Sequence, residues 1–71
     1  MIKMRFSYEV VGTNAGKVWE ALNKIGEASA TKLEKETDLK KDDIYMALGW
    51  LMKEGNVGVK KSGRGFNFFL V

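Results

Sequence analysis

Residues 39–57, LKKDDIYMALGWLMKEGNV, constrain this chain most, because they read as one amphipathic helix closed by a glycine. At 100° per residue Ile44, Ala47, Leu48 and Leu51 fall on one side, and the i, i+4, i+7 spacing buries such a stripe. The opposite side carries Asp42, Met46, Gly49 and Lys53, with Tyr45 and Trp50 on its flanks. Gly55 suits the stop, since helices commonly end with one residue at positive φ. Val57 then returns the chain to the core.

The helix must find its partners within 71 residues. That length suits a single domain spanning residues 1–71, with a small core that buries only about 60% of the unfolded surface. Association with a second chain is one way to enlarge such a core. Apolar residues make up 45% of the chain and charged residues 30%, the balance of a globular protein and not of a disordered one. No apolar run approaches the roughly 18 residues of a membrane span, so no membrane partner is expected. The absence of cysteine leaves no disulfide framework and fits a cytoplasmic setting.

Ahead of the long helix, Ile2, Met4, Phe6, Tyr8 and Val10 alternate with Lys3, Arg5, Ser7 and Glu9. This period of two predicts a strand over residues 1–11. Gly12 and Thr13 read as its break, and Asn14 as the N-cap of a helix from Ala15 to about Ile25, ended by Gly26. Its stripe is Ala15, Val18, Ala21, Leu22 and Ile25, with Trp19 at the edge. Glu27 to Ala30 reads as a short connection with one or two strand-like residues. Ser29 or Thr31 caps a short helix to about Thr37, and Thr31 with Glu34 has capping-box spacing. Asp38 and Leu39 then make a tight turn, the join expected of a helix-turn-helix unit.

After the long helix, Val57 and Val59 alternate with Gly58 and Lys60, and Ser62 to Gly65 form a hairpin turn. The last strand, FNFFLV, is apolar on both faces. Such a strand belongs between two neighbours, here the strand at 57–61 and, most simply, the N-terminal strand.

Strand, helix, short helix, turn, longer helix and hairpin describe an α+β winged helix-turn-helix: three helices, a C-terminal β-hairpin wing and an added N-terminal strand. The runs NAGKVWEAL (Asn14–Leu22) and IYMALGWLMKEG (Ile44–Gly55) resemble those of a small, uncharacterised bacterial winged-helix family. The likeness spans residues 12–71. Asp38 departs from it where such turns often carry glycine, and aspartate tolerates the left-handed conformation. The resemblance implies the fold and a loose kinship with DNA-binding proteins, but fold alone does not assign function.

The long helix is poorly equipped to read bases. Its available face offers Asp42, Asp43, Tyr45, Met46, Gly49 and Trp50, whereas guanine and adenine are read by Arg, Lys, Asn or Gln. Lys41 and Lys53 suit phosphates. The hairpin is better placed, with Lys60, Lys61 and Arg64 about an exposed turn and a formal net charge of +3 over the chain. Contacts of this kind are salt-sensitive and sequence-tolerant. The expected function is therefore a regulator-type module making weak duplex DNA contacts through the wing. The competing reading is a homodimer or protein-interaction module that uses Tyr45, Met46, Gly49 and Trp50, since Tyr, Trp and Met suit interfaces.

Other motifs fall short. GTNAGKV lacks the glycine spacing and the hydroxyl residue of a phosphate-binding loop. Arg64, Gly65, Phe66 and Phe68 match the first half of an RNA-recognition pattern, but core aromatics explain these residues better. There is no histidine or cysteine, and no serine has a base beside it. No catalysis, metal, cofactor or small-molecule substrate is expected.

Overall fold

The computed structural model describes residues 7–71. They form α1 (Tyr8–Ile25), β1 (Glu27–Ser29), α2 (Ala30–Thr37), α3 (Lys41–Lys53), β2 (Val57–Ser62) and β3 (Gly65–Leu70). Among these residues no helix is long and apolar enough to cross a membrane.

The expected N-terminal strand is overturned where it can be followed. Tyr8 to Val11 are the first turn of α1, and residues 1–6 lie outside the described residues. Ser7, not Asn14, is the N-cap: its hydroxyl accepts from the Val10 N–H at 3.3 Å. The buried stripe runs Val11, Asn14, Ala15, Val18, Ala21 and Leu22, so helical spacing reaches back through Gly12. That glycine does not break the helix, because the Trp50 indole packs against it, 3.7 Å from where a Cβ would stand. Tertiary contact overrides a propensity cost of about 1 kcal/mol.

Gly26 ends α1 at φ 98, its N–H bonded to the Leu22 carbonyl at 2.7 Å. Ser29 caps α2 through the Lys32 N–H at 3.1 Å, so the Thr31–Glu34 capping box is not the one used. Asp38 takes the left-handed conformation, φ 61 and ψ 22, and closes α2. Leu39 and Lys40 then lead into α3, completing the helix-turn-helix. The Thr37 hydroxyl donates to the Leu33 carbonyl at 2.6 Å and accepts from the Leu39 N–H at 3.3 Å, which stitches the turn.

α3 buries Ile44, Ala47, Leu48 and Leu51, the stripe expected from its spacing. At its end the Gly55 N–H bonds Met52 O at 3.0 Å and the Asn56 N–H bonds Leu51 O at 2.9 Å. With Gly55 at φ 76, these bonds are the two of a Schellman stop. The core joins the inner faces of the helices to Ala28, Val57 and Phe68 of the sheet. Leu22, Leu33, Ile44, Leu48 and Val18 are fully enclosed, each contributing about 1.5–3 kcal/mol relative to exposure.

The sheet is antiparallel in the order β1-β3-β2. β3 is central, as its double-faced apolar pattern predicts, but its second neighbour is β1 and not an N-terminal strand. The pairs are Ala28 with Phe68 on one side and Val59 with Phe68 on the other.

Candidate nucleic-acid interface

The wing is the hairpin of β2 and β3, joined through Gly63 and Arg64. Gly63 stands at φ 59 while Arg64 keeps a negative φ, the sign pattern of a type II′ turn whose twist matches its strands. Successive side chains along each strand then leave on opposite faces. Val57 and Phe68 are buried and mark the inner face. Val59 and Lys61 share it on β2, Phe66 and Leu70 on β3. The outer face carries Gly58, Lys60, Asn67 and Phe69, with Glu27 of β1.

The three charges expected to act together at the wing are therefore divided. Lys60 lies on the outer face, where its ammonium is 2.9 Å from Glu27 Oε1. The Asn67 amide donates to Glu27 Oε2 at 2.7 Å. One carboxylate thus ties all three strands together. The Asn67 hydrogen bond first, and then that of Lys60, hold the Glu27 pKa below the ordinary carboxylate value. Beside this network the Phe69 ring lies over Gly58, where an added Cβ would sit 2.6 Å from the ring.

Lys61 is on the inner face, directly opposite Phe66 in the hairpin register. Arg64 stands at the turn. Both are exposed, and among the described residues neither has a carboxylate partner. Lys41, at the start of α3, is 3.7 Å from half-buried Glu34 of α2 at the surface, and surface contacts of that kind are worth about 1 kcal/mol or less. Lys53 lines a different hollow, with Tyr8, Trp50 and Glu54. Of the five lysines and arginines expected to meet phosphates, Lys53, Lys61 and Arg64 have no carboxylate partner among the described residues, and of these Lys61 and Arg64 stand together at the hairpin end.

On α3, Tyr45 is 54% exposed and Met46 43%. Gly49 is open, with nothing within 4 Å of where a Cβ would stand. Trp50 differs from these: it is half-buried and turned onto α1, where its ring meets Tyr8 at a centroid distance of 5.0 Å. Glu27, Asn67 and Tyr8 are the participants that sequence patterning missed. Each acts through a residue distant in the chain, and spacing alone carries no signal for such pairs.

The family model of the winged helix-turn-helix domain (DUF2582) matches residues 1–70. Among solved structures the chain is similar to protein BT2368 from Bacteroides thetaiotaomicron, at 32% identity and a TM-score of 0.81, over 87% of this chain and 76% of that one. It also superposes on the Zalpha domain of Carassius auratus PKZ, determined in complex with Z-DNA. There the TM-score is 0.77 over 86% of this chain and 97% of that one, and at 20% identity the likeness is one of fold. A HOP2 structure concerned with DNA recognition and protein interaction domains is 27% identical, with a TM-score of 0.66 over 82% of this chain and 98% of that one. No curated protein matches the chain in sequence.

Proposed function

The chain belongs to the winged helix-turn-helix family DUF2582, and we propose that it is a non-catalytic module of DNA-binding, regulator type that holds duplex DNA through its wing. The observation that carries this reading is the pair Lys61 and Arg64, exposed at the hairpin end with no carboxylate partner among the described residues. A cation already paired must exchange one anion for another, so Lys60 and Lys41 offer a phosphate less than these two do. The exposed α3 face, with Tyr45, Met46 and Gly49, lacks the bidentate donors that discriminate purines. Binding is therefore positional and sequence-tolerant.

Titration of a fluorescent random-sequence duplex, followed by anisotropy, tests this directly. Two phosphate contacts give a log–log salt slope of about −2. The variant carrying Lys61→Glu and Arg64→Glu should lose both the affinity and the slope. No binding at about 100 µM protein in low salt, the weak end of the non-specific range, would refute the reading.

A second reading is homodimerisation through α3, supported by the exposure of Tyr45 and Met46 on one helix face. Sedimentation over a hundredfold concentration range decides it, since a sharp monomer mass throughout would remove it.

A further inference from the structure

The inner face of the wing carries an aromatic ring that the core does not use. Along β3 the inner-face residues pass from buried Phe68 to Phe66, which is 56% exposed, and along β2 from buried Val57 to Val59, which is 40% exposed. Lys61 sits across from Phe66. In a two-residue hairpin whose closing pair is Ser62 and Gly65, the next pair outward from the turn, Lys61 with Phe66, is of the kind that brings side chains closest. Arg64 follows at the turn. The one carboxylate of the sheet network, Glu27, is on the opposite face with Lys60 and Asn67.

An exposed ring with a lysine across from it in the register and an arginine two residues before it at the turn, and no acid among the described residues of that face of the hairpin, is a combination with a specific complement. Duplex phosphates explain the charges but leave the ring without a role, because the bases of a duplex are stacked on each other. An unpaired base supplies a π-face for the ring while its own strand supplies phosphates for the cations. A second protein copy would require acids opposite Lys61 and Arg64, and an apolar partner would leave both cations stranded.

We propose that Phe66, with Lys61 and Arg64, is a stacking site for an unpaired base of a DNA strand, as found at a single-stranded tail, gap or melted end. This rests on the DNA-binding reading above and deepens it, by making the preferred substrate a junction between paired and unpaired DNA. Phe66 stacks on the base, and Lys61 and Arg64 contact the phosphates that flank it.

The test compares three fluorescent probes of equal nucleotide count: a blunt duplex, a duplex with a single-stranded tail, and an oligo-dT strand. Each is titrated with the wild-type protein and with Phe66→Leu, Phe66→Ala and Phe66→Trp, whose folds are checked by circular dichroism. The tailed duplex should bind more tightly than the blunt one. Phe66→Leu and Phe66→Ala should weaken tailed binding by about five- to 150-fold, the range for one stacked base, and change blunt binding less than twofold. Phe66→Trp should retain tailed binding. A 2-aminopurine in the tail should change its fluorescence with wild type and not with Phe66→Leu. Equal binding of blunt and tailed probes, unaltered by Phe66→Leu, would overturn the stacking site while leaving the DNA-binding module intact. No binding of any probe would overturn both. Self-association abolished by Phe66→Ala, without probe binding, would assign the ring to a second copy and overturn the proposal.

Discussion

The indole of Trp50 and the phenol ring of Tyr8 meet at 80°, their centroids 5.0 Å apart. This contact fastens the first turn of α1 to the far end of α3. Such edge-on pairs contribute about 0.5–1.5 kcal/mol beyond area burial, and the high exposure of Tyr8 favours the low end. A double-mutant cycle with Tyr8→Ala and Trp50→Ala, followed by urea denaturation, should give a coupling of about 0.5 kcal/mol or more. Strict additivity would mean that the rings touch without stabilising the fold.

Gly49 lies mid-helix with open space where a Cβ would go. Gly49→Ala should therefore stabilise the protein by about 1 kcal/mol through helix propensity. The same substitution separates the two readings of α3. If a second copy approached the backbone here, the added methyl would weaken association while stabilising the monomer. Sedimentation and denaturation on one sample read both effects.

Asp38 holds a left-handed conformation, φ 61, that glycine adopts at no steric cost. Asp38→Gly should raise stability by about 0.5–1 kcal/mol, and Asp38→Val should lower it by a similar amount or more. Thermal unfolding checks the opposite signs. A destabilising glycine would show that the aspartate side chain contributes more than its conformation costs.

Glu27 is held ionised in the folded wing by Asn67 first and Lys60 second. Its folded pKa lies below its unfolded one, so its stabilisation is complete above the ordinary carboxylate pKa and is lost as pH falls through the lowered folded value. Carboxyl-detected NMR titration should find Asn67→Ala moving Glu27 upward further than Lys60→Met does. The reverse order would assign the depression to the ion pair. At neutral pH neither variant should alter the charge of Glu27.

The helices whose evidence is local were the most legible. Ile44, Ala47, Leu48 and Leu51 are buried because a 3.6-residue period places them on one side, and Gly55 stops the helix because its positive φ accommodates the two closing bonds. Asp38 was equally readable as a left-handed turn residue. The start of α1 was not. Tyr8 and Val10 continue an alternation that suggests a strand, yet both are exposed, and the buried residue is Val11 beside them. What decides the matter is Ser7 at the cap and Trp50 against Gly12, one a weak local signal and the other a contact across the fold. β1 is three residues long, too short to display a period, and exists because β3 pairs with it.

At the wing the charges were legible but their partners were not. Period two separates Lys60 from Lys61 even on paper. That Glu27 takes Lys60 depends on Asn67 lying beside both, 40 residues along the chain from Glu27. Phe66 resembles Phe68 in a sequence, since both fall on the inner face. Only the length of the hairpin beyond the body of the protein makes one a core residue and the other a surface one.

The central position of β3 also bears on how the protein is born. A ribosome makes β1 and β2 before the strand to which both are bonded. α1, α2 and α3 can settle against one another as they emerge, but β1 must wait, without its partner, while residues 30–64 are added. Closing the sheet therefore follows the synthesis of all three helices. A pause or truncation before Gly65 would leave a three-helix nascent chain with two unpaired strand segments, the kind of species chaperones capture.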